Sequence, residues 1–315
     1  MKTRRILRRS LAACVAAVLV LGPAVAIPAE EVPGIEAFAA ATEPPVFDTA
    51  AAAINRFKAL VGANDFDGLA RLLGLDPQKL AADGSAKDTF QEIREGAARQ
   101  VVVEDLGDRQ LLDIGERLWP FPFPIVKGED GKWAFDTDAG LQEIVNRRIG
   151  ENELEAIATM RAYVNAQEEY ASQDRSGEGV LEYAQRMVST PGKTDGLYWP
   201  SDQGDGESPA GDFADQAALE KARQGDGYFG YRFRILTGQG DNVAGGRYDY
   251  VINGHMIAGF ALIAWPVKYR ETGVNTFLVS KAGIVYQADL GRQTETIANG
   301  IKRFNPDKNW SIVTE

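Results

Sequence analysis

The stretch from Asn152 to Gln173, NELEAIATMRAYVNAQEEYASQ, constrains the fold of this chain more than any other. Asn152 with Glu155 three residues on has the spacing of a helix-starting capping box. Ile157, Met160, Tyr163, Val164, Tyr170 and Ala171 then recur at helical spacing on one stripe, with Gln167 inside it. Glu151, Glu155, Asn165 and Glu169 fall on the opposite face. The chain before this helix alternates helix and hairpin patterns, and the chain after it is almost wholly strand-patterned. A helix so placed is the natural spine for a sheet laid against its apolar stripe.

The chain runs to 315 residues, about twice the usual single-domain length, which predicts two domains. Residues 1–26 read as an export signal. Lys2, Arg4, Arg5, Arg8 and Arg9 precede an apolar run from Leu11 to Leu21, and Ala24-Val25-Ala26 offers a small-residue cleavage site before Ile27. The apolar run is too short for a permanent membrane span, and nothing later resembles one. The general secretory route is expected; the arginine pairs also permit a twin-arginine route, and Leu11-Ala12-Ala13-Cys14 imitates a lipoprotein box without an apolar stretch before it. The expected location is periplasmic or otherwise exported.

Removing those five basic residues leaves 29 against 45 acidic ones, a formal charge of −16. That sign opposes binding to phosphate backbones and excludes nucleic acid as a natural partner. The one cysteine leaves with the signal, so the mature chain has neither disulfides nor thiol chemistry.

Residues 27–46, rich in proline and alanine, read as a flexible linker. Residues 47–150 read as a small α+β domain. Its expected helices start near Asp48 or Thr49, run from Phe66 to Leu73 and from Lys87 to Gln100, and end with one carrying Leu141, Ile144, Val145 and Ile149 that Gly150 terminates. Arg109 to Trp119 reads as a strand, and Ile125 to Phe135 as a hairpin through Gly128-Glu129-Asp130-Gly131. The prolines of Trp119-Pro-Phe-Pro-Phe-Pro124 bar it from a central strand.

Residues 151–315 read as a helix plus antiparallel sheet. Gly179 to Met187 extends the spine helix or forms a short one of its own. Tyr228 to Thr237 alternates Tyr231, Phe233 and Ile235 against Arg232, Arg234 and Leu236. Arg247 to Ile252 turns at Asn253-Gly254, and Met256 to Trp265 is expected to pair back. Asn275 to Ser280 and Ile284 to Leu290 form another hairpin, before a closing helix near Thr294 to Phe304. The fold class is thus α+β throughout.

Pro191 to Gly227 stands apart as a long segment rich in Gly and Asp with one short helix near Phe213 to Arg223; loops of that length are uncommon unless functional or mobile. Its carboxylates, Asp202, Asp205, Glu207, Asp212 and Asp215, with Tyr198 and Trp199 beside them, are the candidate binding residues. Oxygen ligands among glycines suit Ca²⁺, for which Asp202, Asp205 and Asp212 would serve, though their spacing is not that of a helix–loop–helix calcium site. Arg232 and Arg234 could pair with this acidic loop. The aromatic set Tyr198, Trp199, Tyr228, Tyr231, Trp265 and Tyr269 reads as sheet packing before it reads as a sugar platform.

His255 is the lone histidine, beside a hairpin turn. Without a second histidine or a cysteine the chain cannot build a Cys–His pair or the usual transition-metal site. No G-x-S-x-G turn is present. Gly192-Lys193-Thr194 imitates the end of a phosphate loop but lacks its first glycine and its leading strand. Glu168 and Glu169 could in principle oppose loop carboxylates in glycoside chemistry.

AYVNAQEEYAS, STPGKTDGLYWP, GYRFRILTGQG, GFALIAWPVKY and NTFLVSKAGIVYQADLG resemble a bacterial exported family known as domain of unknown function 2950. The resemblance covers nearly all of the mature chain; it implies an envelope location in Gram-negative bacteria and implies no activity. A helix ending in AQEEYA before an antiparallel sheet is also similar to the globular heads of pilins and type II secretion pseudopilins. Unlike theirs, this helix begins with charged residues behind another domain, so only the fold is implied. The first domain is similar in outline to nuclear-transport-factor-like folds. The expectation is a non-enzymatic envelope module that binds an envelope protein or glycan. The alternatives are a carboxylate-dependent hydrolase of envelope glycan and a calcium-stabilised module.

Overall fold

The computed structural model describes residues 34–82, 84–202, 206–211 and 214–314. The export signal, residues 27–33 of the linker, Asp205 and Asp212 lie outside the described residues. The chain divides into two compact units, one up to Asn146 and one from Arg147 onward, and its mixed helices and antiparallel sheets make it α+β.

In the first unit, Thr49 caps helix α1 (Ala50–Gly62), its hydroxyl oxygen accepting from the Ala52 amide at 3.1 Å. Asp65 caps α2 (Phe66–Leu72) in the same way, and Gly74, at φ +70°, supplies the left-handed turn that ends it. Helices α3 (Pro77–Ala82) and α4 (Ala86–Arg99) follow. Strands β1 (Val101–Asp105), β2 (Arg109–Ile114), β3 (Trp119–Pro120), β4 (Ile125–Lys127) and β5 (Trp133–Phe135) make an antiparallel sheet in the order β1-β2-β4-β5, with β3 also on β2. The proline-rich run thus contributes only two residues of ladder, and its phenylalanines turn inward. Phe121 lies 5.1 Å from Phe57 and 5.7 Å from Phe123, ring centre to ring centre, within the buried core. Within the stretch read as a linker, Ile35–Phe38 form a 3-10 turn, and the Ala40 amide donates to the Gly74 carbonyl at 2.8 Å.

Helix α5 runs without a break from Thr137 to Tyr170. This corrects two expectations: Gly150 does not terminate a helix, and Asn152 does not begin one. Gly150 has helical rather than left-handed backbone, and an interior glycine costs only about 1 kcal/mol, which good helix formers on both sides outweigh. The Asn152 amide is drawn away from any capping role, its Nδ2 donating to the Thr272 carbonyl at 2.9 Å.

In the second unit, Ala156, Met160, Tyr163, Ala166, Gln167 and Tyr170 form the buried stripe of α5. The segment after it, expected as a helical extension from Gly179 to Met187, is not helical. Its backbone is bound elsewhere: the Tyr183 amide donates to the Met256 carbonyl at 2.8 Å and the Ala184 amide to Gln167 Oε1 at 2.8 Å. After α6 (Gln216–Arg223) come β6 (Tyr231–Leu236), β7 (Gly238–Gln239), β8 (Tyr248–Asp249), β9 (Val251–Ile252), β10 (His255–Met256), β11 (Ala261–Pro266), β12 (Asn275–Ser280), β13 (Tyr286–Asp289), α7 (Thr294–Gly300) and β14 (Ser311–Ile312). The main sheet has the order β14-β13-β12-β11-β6, all antiparallel.

Asn253 and Gly254, both at positive φ, make the tight turn expected of them. The hairpin they close is only β9–β10. Ala261–Pro266 does not pair back on residues 247–252 as expected; it sits between β6 and β12 at the centre of the main sheet. Gly259, at φ +143°, redirects the chain between the two. Every residue of β11 is buried, because both faces of this sheet are covered. Tyr231, Ala264 and Phe277 share the face toward α5, where the Tyr163 hydroxyl donates to the Ala261 carbonyl at 3.3 Å. Arg234, Ile263, Leu278 and Tyr286 share the face toward α7.

Candidate functional site

The long segment from Pro191 to Gly227 is fastened to the second unit at several points. Leu197, Tyr198, Trp199 and Ala210 are buried in its core. Tyr198 exchanges backbone hydrogen bonds with Met187 and Ser189, at 2.9 and 2.8 Å, in a short parallel bridge. The Trp199 indole donates to the Gly206 carbonyl at 3.2 Å, and the Arg175 guanidinium lies 5.2 Å from the ring centres of both Trp199 and Tyr170. Tyr198 and Trp199 therefore hold the segment down rather than offering rings to a ligand. Of the wider aromatic set, Tyr231 and Trp265 are likewise core residues, and the Tyr228 hydroxyl accepts from the Asp215 amide at 3.0 Å.

The carboxylates take separate positions. Asp202, Glu207 and Asp215 are exposed. Asp215 is the N-cap of α6, its Oδ1 accepting from the Ala218 amide at 2.8 Å. Among the described residues, no group of three or more His, Cys, Asp or Glu is arranged to hold a metal ion; of the three residues considered for Ca²⁺, only Asp202 is described.

Among the described residues the arginines of β6 pair elsewhere than with this loop, which corrects the expected pairing. Arg232 pairs with Glu295, and Arg234 Nη2 donates to the carbonyls of Ala298 and Ile301, at 2.7 and 2.6 Å, where α7 ends. The cause is the helix terminus, which leaves carbonyls without intrahelical partners and carries partial negative charge. Of the two spine glutamates, Glu168 sits 3.5 Å from Lys281 Nζ, and Glu169 is exposed.

Two polar features at this end of the unit were not visible in the sequence. His255 lies between two glutamates, with Nε2 3.3 Å from Glu178 and Nδ1 3.3 Å from Glu182. Both come from a segment more than seventy residues earlier, so no spacing rule joins them. Asp195 accepts from the Thr190 amide at 2.7 Å and from its hydroxyl at 2.8 Å, with Arg186 3.7 Å away. Partial burial works against its charge, but these donors prevail and hold its carboxyl below the ordinary value. The Gly192-Lys193-Thr194 run thus lies in a turn closed by Asp195, with Gly192 at φ +81°, rather than before a helix that could cradle phosphate.

No curated protein and no solved structure matches the chain, so neither the resemblance to pilin heads nor the outline likeness to nuclear-transport-factor-like folds is confirmed. One family does match: the model described as protein of unknown function (DUF2950) spans residues 45–313, which takes in most of the first unit and nearly all of the second. The chain belongs to that family.

Proposed function

We propose that the protein is an exported, non-catalytic module of the cell envelope that binds another envelope component through the segment from Pro191 to Gly227. One observation carries the reading. Leu197, Tyr198, Trp199 and Ala210 are anchored in the core, while Asp202 and Glu207 stand exposed between those anchors. Anchors shortly before Asp202 and shortly after Glu207 limit how much either carboxylate must be ordered on binding, which removes part of the cost of association. Their charge selects a cationic partner surface and favours its encounter. Export rests on the N-terminal signal pattern, and the absence of a catalytic role on the lack of a nucleophile–base set in the sequence.

The test is affinity capture from an envelope extract with the mature protein and with Asp202→Asn/Glu207→Gln. Both positions are exposed and their side chains support no described hydrogen bond, so the melting temperature should not move. Capture of the partner should fall at least tenfold. Equal capture by the double variant would refute the reading.

A further inference from the structure

On the sheet face that carries α7, the chain between α7 and β14 borders an open pocket of about 380 Å³. Leu278 and Ile301 give it an apolar floor and Trp310 an aromatic wall; Arg247, Lys302, Arg303 and Asn305 complete it. Three of these seven residues are cationic and none is acidic, in a chain whose formal net charge is −11.

The three cations are not equivalent. Arg303 is engaged: Nη1 donates to the carbonyls of Gln239 and Tyr248, at 3.2 and 2.9 Å, and Nη2 pairs with Asp249. Arg247 and Lys302 are exposed and make no hydrogen bond or ion pair among the described residues. Asn305 Oδ1 accepts from the Asn242 amide at 2.9 Å, which fixes the side-chain amide and leaves Nδ2 as a donor. Acidic side chains outnumber basic ones, 45 to 34, yet Arg247 and Lys302 both line this pocket without an ion-pair partner among the described residues.

We infer that this pocket binds an anionic sugar. A guanidinium fork beside an ammonium suits a carboxylate or a phosphate. The indole and its apolar floor suit the C–H face of a sugar ring, and the Asn305 amide suits a ring hydroxyl. The volume lies at the small end of the roughly 300–1,000 Å³ typical of ligand pockets, which fits one sugar unit. The acidic loop contributes no residue to this pocket, so the two sites stand or fall separately.

Isothermal titration of the mature protein with four probes decides the matter: glucuronic acid, glucose 6-phosphate, glucose and inorganic phosphate. At least one charged sugar should saturate the site, with glucose and inorganic phosphate each at least tenfold weaker. The tighter of the two charged sugars identifies whether the anion is a carboxylate or a phosphate. Arg247→Gln/Lys302→Gln should lose at least tenfold in affinity for that sugar while keeping its melting temperature. The inference fails if neither charged sugar saturates, if inorganic phosphate or glucose binds as well, or if the double variant binds undiminished.

Discussion

Single side chains tie the second unit's irregular segments to its regular ones, and most of them are polar. Gln167 is fully buried: its Nε2 donates to the Tyr163 hydroxyl and the Ala184 carbonyl, each at 2.9 Å, while its Oε1 accepts from the Ala184 amide. Glu153 accepts from the amides of Val274 and Asn275, at 2.8 and 2.9 Å. Asp195 does the same for Thr190, and it makes a pH prediction possible. Its carboxyl is depressed below its ordinary value of 3.8, so its contribution to stability is complete above that value and is lost as pH falls through the folded-state value. Asp195→Asn should therefore lower the melting temperature at pH 7, and the gap from the wild type should shrink as the pH is taken down below the ordinary value of 3.8 and through the folded-state value. A gap that persists unchanged in acid would mean that the ionised carboxylate is not what holds the turn. The sequence exposed some of this. Gln167 could be seen inside an apolar stripe, as a polar residue that had to be satisfied. Its partner Ala184 could not, because a backbone amide carries no side-chain signature.

Among the elements, the informative difference between sequence and structure is α5. Capping residues and a glycine near Gly150 and Asn152 mimic a helix end followed by a helix start. Local signals lost to continuity, because an interior glycine costs less than unwinding two helix ends, each with unpaired backbone groups. Substitution can separate the two readings. A Cβ at Gly150 would meet nothing within 4 Å, so Gly150→Ala should stabilise the protein by about 0.5–1 kcal/mol in denaturant melts. A left-handed cap would instead be destabilised by that change. Gly140, in the same helix, behaves oppositely: a Cβ there would run into the Phe123 ring, and Gly140→Ala should destabilise. The strands were legible where alternation was strong, as in β6. They were misassigned where a continuous apolar run, Met256 to Trp265, concealed the bend at Gly259. Such a run fits a fully buried central strand as well as a hairpin arm, and burial of all six residues of β11 shows which applied.

For the whole molecule, the α+β class and the run of helices before strands came from pattern alone. The placement of polar residues around candidate sites did not, because it depends on contacts between segments far apart in sequence. His255 meets Glu178 and Glu182, and Arg247 meets the neighbourhood of Trp310, only once the second unit has folded. Net charge was an equally blunt guide, since an acidic chain can still gather unpaired cations locally. The central claim is that the anchored segment displays its carboxylates to a partner. The most direct measurement is photo-crosslinking in intact cells, with a photoreactive residue at position 202 and, as control, at the exposed Leu154 of α5. A discrete protein or glycan adduct is predicted from position 202 and none from position 154. No adduct at 202, or the same adducts from both positions, would contradict the claim.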